Sequence, residues 1–189
     1  MIAACLTGCG KKAEPVSRSS FLLNTFVTVT LYDSEDQEIL DGAMKLCSEY
    51  EQKLSTTIET SEIYVMNHRQ PGERTFTVSE ETAEVIEKGL EYSRLSDGVF
   101  DITIEPLSSL WNFTGADPHV PSEDAIREEL SKVGYENVSV SGNQITFAND
   151  VTTIDLGAIA KGYIADRMKE YLKSQGVESA IINLGGNVL

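Results

Sequence analysis

Asp155-Leu156-Gly157-Ala158-Ile159-Ala160-Lys161-Gly162-Tyr163 is the stretch on which the reading of this chain turns. The β-branched residues before it, 151–155, predict a strand that ends at Asp155. Gly157 allows a tight turn, and a helix over residues 158–175 starts at once, closed by Gly176. A helix N-terminus presents free N–H groups and partial positive charge, which suits a phosphate. Lys161 adds a full charge in the first turn, and Gly162 leaves room for another backbone or a flat ligand. Residues 179–184 predict the next strand, ending at Gly185-Gly186. If the connection is a βαβ crossover, Leu184-Gly185-Gly186-Asn187 lies at the same carboxyl edge as Asp155, where ligands bind in open α/β sheets. The plain alternative is a helix start and an ordinary glycine turn. No G-x-G-x-x-G is present, so a dinucleotide fingerprint is absent.

Outward from this unit, period-two alternation over residues 26–32 predicts a half-buried strand. Asp33-Ser34 offers a cap for a helix running to about Ser55, with Cys47 on its apolar face. Ser61 can cap a short helix over 62–67, and Ser79 a longer one that stops at Asp97-Gly98. Residues 74–78 predict a short strand. Ser122 opens a third helix to about Val133, and residues 138–140 and 145–148 form a hairpin through Ser141-Gly142-Asn143. The class is α+β, with hairpins and one βαβ-like unit.

A second informative run is Ser96-Asp97-Gly98-Val99-Phe100-Asp101-Ile102-Thr103-Ile104-Glu105-Pro106-Leu107, followed by Leu110-Trp111-Asn112-Phe113. Asp101 and Thr103 alternate with Phe100, Ile102 and Ile104, which places them on one face; Pro106 can start a short helix. The alternative is a core segment with Trp111 packed inside. His68 and His119 sit in polar loops without ligand-spaced neighbours and read as surface residues. Neither G-x-S-x-G nor H-E-x-x-H occurs, which removes Ser-hydrolase and zincin readings.

With 15 Lys+Arg against 30 Asp+Glu, the net charge is −15. Nucleic acid is excluded as a partner, because counterion displacement needs a basic stripe. An anionic ligand would need local positive potential from a metal or a helix N-terminus. The three cysteines, Cys5, Cys9 and Cys47, have no zinc spacing, and Cys47 reads as a buried hydrophobe. No run approaches the roughly 18 apolar residues of a membrane helix. Leu6-Thr7-Gly8-Cys9 is similar to a bacterial lipobox, with Cys9 as the acylated residue and Lys11-Lys12-Ala13-Glu14-Pro15 as a polar tether. This predicts a lipoprotein signal remnant and tether over residues 1–20, a domain over 21–189, and an extracytoplasmic, lipid-anchored location. The strand and glycine pair at the end, with no capping element after Leu189, predict a domain incomplete at its C-terminus.

Four ordered motifs then resemble one family. Residues 155–163 are similar to D-L-G-x-I-A-K-G-Y, and residues 97–107 with Leu110-Trp111 resemble D-G-x-F-D-x-T-x-x-P-L…L-W. Ser61-Glu62-Ile63…Asn67 resembles S-E-I…L-N, and Asn183-Leu184-Gly185-Gly186-Asn187 resembles N-x-G-G-N. The family is that of the ApbE-type flavin transferases, and the resemblance runs from about residue 22 onward, roughly the first two thirds of a member. It implies an ApbE-like (T-fold-like) fold of mixed sheets flanked by helices. It also implies Mg²⁺-dependent transfer of FMN from FAD to a threonine of an acceptor protein, with release of AMP. The implied acceptors are subunits of membrane redox complexes.

Residue by residue, the resemblance implies that Asp155, Lys161, Leu23 and Thr57 contact FAD. It gives Val99, Phe100 and Asp101 as a flavin-lining segment and the Ala158 carbonyl as a Mg²⁺ ligand. The remaining Mg²⁺ ligands and the base lie beyond Leu189 in the family, so the catalytic residues are unknown within this chain. The chain departs from the pattern in Leu23-Asn24-Thr25 for Met-Gly-Thr, in Glu105 where Gly is usual, and in Thr57, which leaves open the balance between transfer and hydrolysis. The rivals are a metal-dependent FAD pyrophosphatase giving FMN and AMP, and a flavin-binding lipoprotein without chemistry.

Overall fold

The computed structural model describes residues 14–113 and 115–189, so the expected lipidation residue Cys9 and residues 6–9 around it lie outside the described residues. In chain order the elements are β1 (Val16–Leu22), β2 (Thr25–Leu31), α1 (Gln37–Leu54), α2 (Glu62–Asn67), β3 (Thr75–Thr77) and α3 (Glu80–Leu95). Then follow α4 (Glu105–Ser108), α5 (Glu123–Leu130), β4 (Val138–Ser141), β5 (Gln144–Phe147), α6 (Gly157–Ser174), β6 (Ala180–Leu184) and β7 (Asn187–Val188). The described residues divide into two compact units, one within Met1–Cys47 together with Ala165–Leu189 and the other within Ser48–Ile164. Among the described residues, no helix is long and apolar enough to cross a membrane.

The first unit contains an antiparallel sheet in the order β1-β2-β6-β7. Strand alternation puts Val27, Val29, Leu31, Ile182 and Leu184 on its buried face. Leu40, Ala43 and Cys47 of α1 and Met168 and Leu172 of α6 complete this core. Cys47 is fully buried, as its place on the apolar face predicts. The boundary expected at residue 20 falls inside β1, which pairs with β2 from Val16 onward. Its polar Ser17-Arg18-Ser19-Ser20 fits an edge strand whose outer face bonds rather than packs: Ser17 and Ser19 hydroxyls meet those of Thr30 and Thr28 at 2.8 Å. Asp33 does not cap α1. Its carboxylate accepts the N–H groups of Glu178 (2.7 Å) and Ser179 (3.0 Å), while Asp36 takes the Glu38 N–H at the helix start.

The second unit contains an antiparallel sheet in the order β3-β5-β4, with the expected hairpin between β4 and β5. Ser61, Ser79 and Ser122 cap α2, α3 and α5 as predicted, each accepting the N–H three residues on. Glu62 accepts from both the N–H (2.7 Å) and the hydroxyl (2.8 Å) of Ser79, so one cap supports the next. Gly89 of α3 makes room for Ile102: a Cβ at Gly89 would stand 2.6 Å from its Cγ2.

The α+β class stands, but the strand predicted at 151–155 is absent, and with it the βαβ crossover. Residues 151–156 pair with no strand, and β6 runs antiparallel between β2 and β7. The period-two pattern is nevertheless real in burial: Thr152, Ile154 and Leu156 are buried and the residues between them are not. Side chains replace the missing ladder. The Asn67 amide donates to Ile154 O and accepts from Ile154 N, both at 2.8 Å. Arg69 donates to Thr152 O (2.7 Å) and Asn149 O (3.1 Å) with its guanidinium 4.0 Å over the Phe147 ring. Burial pushes that guanidinium below its ordinary pKa. The Asp155 N–H donates to Ile102 O at 2.8 Å.

Asn67→Ala would leave the buried N–H and C=O of Ile154 unpaired, and about 2–4 kcal/mol of stability should be lost. A urea midpoint shifted without a change in m checks this; a shift under about 0.5 kcal/mol would mean that water replaces the amide. A second test concerns pH. The Arg74 hydrogen bond, with that of Gly72 N, holds the Asp150 carboxyl below its ordinary value of 3.8. A carboxyl depressed by folding stabilises above its unfolded pKa and loses that contribution as pH falls through the folded value. The melting temperature of Asp150→Asn should therefore lie below that of the parent near neutral pH, and the gap should close as pH falls below the ordinary carboxyl value of 3.8 and through the lowered folded value. A gap constant with pH would remove the carboxylate from this role.

Candidate functional site

The start of α6 is where the sequence concentrates its candidates. Asp155 is half-buried and its Oδ1 accepts the Gly157 N–H at 2.7 Å, fixing the turn into the helix. Its other carboxylate oxygen has no protein donor among the described residues. Ile159 and Ala160 N–H groups bond to Leu156 O at 2.9 and 2.8 Å. Gly157, Ala158, Lys161 and Gly162 are neighbours at helical spacings of three and four. Gly157, Ala158 and Gly162 are exposed and Lys161 is half-buried, while Ala160, Ile164 and Ala165 face the interior. The result is an open face of small residues around one ammonium. Among the described residues the Lys161 ammonium makes no ion pair or hydrogen bond, and the first turn of α6 holds no acid. The Ala158 carbonyl lies in that first turn, where it accepts an intrahelical bond, so a cation there would use its second lone pair.

The structure joins residues 99–105 to this helix start. The link is the Asp155 N–H on Ile102 O, supported by the Glu105 carboxylate on the Thr153 hydroxyl at 2.5 Å. Val99 is 92% exposed, and half-buried Phe100 meets Tyr92 edge-on with ring centroids 6.3 Å apart. Both are free to line a ligand. Asp101 is placed differently. The expected shared face of Asp101 and Thr103 does not exist, because residues 101–104 form a turn. Asp101 Oδ1 accepts the Thr103 N–H and hydroxyl at 2.7 Å, and Oδ2 the Tyr135 N–H at 3.0 Å. Buried Thr103 in turn accepts the Gly134 N–H at 2.8 Å. Three donors thus hold the Asp101 carboxylate within the scaffold. Trp111 is half-buried rather than in the core, stacked 6.3 Å from exposed Phe113.

Thr57 is exposed in the turn after α1, where its N–H donates to Ser55 Oγ at 3.1 Å; no hydrogen bond ties it to Asp155, Lys161 or Phe100. Leu23 belongs to the first unit. With Asn24 it forms the two-residue β1–β2 turn, both at φ 55°. A primed hairpin turn demands positive φ at both positions, and a leucine there is strained. The glycine turn between β6 and β7 lies beside it in the same unit, since a Cβ at Gly185 would meet Thr25 Oγ1 at 2.3 Å. Sequence reasoning gave no role to Asn67, Arg69 or Glu105, which position the helix start. Their partners lie 48 to 87 residues away, and no local spacing reveals them. His68 and His119 are exposed, as expected.

A model of the ApbE family matches residues 23–189. The chain belongs to the ApbE family. It is 34% identical over 174 residues to a protein of Klebsiella pneumoniae named FAD:protein FMN transferase, covering 91% of this chain and 54% of that one. It is 30% identical over 189 residues to a Vibrio cholerae protein of the same name, covering 97% and 56%. The solved flavin transferase ApbE from Vibrio cholerae superposes with a TM-score of 0.85 at 27% identity, covering 93% of this chain and 58% of that one. The ApbE protein from Thermotoga maritima gives 0.83 at 31%, with 93% and 58% covered. The chain thus spans about half the length of the ApbE relatives it matches, less than the two thirds expected from the motifs.

Among these family positions, the geometry separates scaffold from available groups. Asp101→Ala should lower stability by about 2–3 kcal/mol, because it strands donors at Thr103 and Tyr135. Lys161→Ala, which breaks no ion pair or side-chain hydrogen bond, should stay within about 0.5 kcal/mol of the parent. Denaturant midpoints of the two variants check this, and equal losses would refute the division.

Proposed function

We propose that the complete protein is a Mg²⁺-dependent enzyme that transfers FMN from FAD to a threonine of an acceptor protein and releases AMP. The observation that carries this reading is the α6 start, where an unpaired Lys161 and a half-free Asp155 flank an open glycine-alanine face. It is supported by membership of the ApbE family and by relatives named FAD:protein FMN transferase. In the transfer, the threonine oxygen bonds to the FMN phosphorus, the bond from that phosphorus to the AMP side breaks, and the hydroxyl proton is lost.

The residues here have defined work in that reaction. Lys161 and the α6 N-terminus offset negative charge on the pyrophosphate. The free oxygen of Asp155 is an acceptor only, so it takes a hydroxyl or N–H of FAD. Val99 and Phe100 offer an apolar edge to the flavin ring. Among the described residues no group of three or more His, Cys, Asp or Glu side chains is suited to a metal. Mg²⁺ is commonly held by one or two carboxylates together with substrate phosphates and water. Ala158 O is the protein oxygen offered here. When bound, the ion supplies charge neutralisation at the pyrophosphate. The lipobox-like residues 6–9 and the tether after them support a lipid anchor on Cys9 and an extracytoplasmic site of action. Subunits of membrane redox complexes are acceptors within reach of that location.

The test incubates the complete protein with FAD, Mg²⁺ and an acceptor domain carrying the target threonine, and reads the acceptor's intact mass. The expected result is a gain of one FMN that EDTA prevents and Asp155→Ala abolishes. An unchanged acceptor with free FMN and AMP would make the protein a pyrophosphatase. Intact FAD would leave it a binding protein.

A further inference from the structure

The ties on residues 152–155 differ in kind. Asn67, Arg69 and Ile102 engage backbone groups, whereas Glu105 engages a side chain. The Glu105 carboxylate accepts from Thr153 Oγ1 at 2.5 Å and from Ser109 Oγ at 2.7 Å, two charge-assisted bonds that use one oxygen each. Ile102 and Glu105 lie three residues apart on one segment, and their partners Asp155 and Thr153 lie two apart on the other. The two bonds are therefore two rungs between the segment that carries Val99 and Phe100 and the segment that opens α6. A single rung leaves the segments free to pivot about it, and the second removes that freedom.

We propose that Glu105 is a positioning residue that fixes the Asp155 carboxylate and the α6 start against the Val99–Phe100 edge, acting through Thr153. The proposal rests on the flavin reading above, because the ligand whose fit it sets is FAD. Glu105 touches two protein hydroxyls, so its loss acts on the fit of FAD and not on the bond-breaking step.

The test uses the complete protein with Glu105→Ala, Glu105→Gln, Thr153→Val and the double variant Glu105→Ala/Thr153→Val. It reads amide hydrogen exchange over residues 153–158 and the KM and kcat for FAD. Glu105→Ala and Thr153→Val should each speed the exchange and raise KM about tenfold, with kcat within about twofold. The double variant should be no worse than either single one, because both remove the same bond. Glu105→Gln should restore both readouts, since its amide can accept from one hydroxyl and donate to the other. Multiplicative losses in the double variant, unaltered exchange, or a fall in kcat at constant KM would overturn the proposal. The exchange arm needs no flavin. Altered exchange in a protein that binds no FAD would sink the flavin reading and the positioning role with it. Normal FAD turnover with unaltered exchange would sink the positioning role alone.

Discussion

A buried backbone must pair its N–H and C=O groups, and residues 152–155 meet that demand without a strand beside them. The donors and acceptors come from an asparagine at the end of α2, an arginine after it, and a carbonyl in the turn after α3. The placement of the α6 start follows from these bonds. Asn67 is itself positioned by α2, whose cap Ser61 donates its hydroxyl to Ser55 O and whose Glu62 holds the cap of α3. Ile102 is seated on α3 at Gly89. The unit is a chain of caps and clamps that ends at Asp155, and its side chains matter as much as its two antiparallel ladders.

This explains which parts were legible in the sequence. Serine caps are local signals, and Ser61, Ser79 and Ser122 were legible because the cap and its N–H donor lie within one turn. The β4–β5 hairpin and the amphipathic helices were legible for the same reason. The period-two pattern near residue 154 reported burial faithfully and pairing wrongly. Alternate burial requires only an extended chain with one face inward, whereas a strand also requires a neighbour. The Asp33 assignment failed in a similar way. Its position before α1 suited a cap, but its carboxylate serves the β6 entry 145 residues on. In the candidate site, the motif residues were found, but their division into scaffold and free groups was not. That division depends on whether long-range N–H donors reach a carboxylate.

Asp101 and Asp155 show how the division works. Both are half-buried carboxylates in motif positions. Asp101 receives three donors from its own chain, and its capacity for a ligand is largely consumed. Asp155 receives one side-chain-directed donor, Gly157 N, and retains an oxygen. The same residue type therefore builds a loop in one case and keeps an oxygen open in the other. An ionised carboxylate with a vacant oxygen at a helix start is tolerated because it meets the positive end of α6.

An acidic chain can host an anion when the local field outweighs the net charge. The excess of 15 acids is spread over helix faces such as those of α3 and α5. At physiological ionic strength the Debye length is about 8 Å, so exposed charges beyond that distance contribute little at the α6 start. The first turn of α6 offers the helix N-terminus and Lys161 and holds no acid of its own, with Asp155 just before it and the Glu105 carboxylate on Thr153 two residues further back. Because Lys161 is paired to no carboxylate, its charge is not offset before a ligand arrives. The negative charge elsewhere disfavours anions over most of the surface, so the anion site proposed above depends on the local charge of Lys161 and the α6 N-terminus.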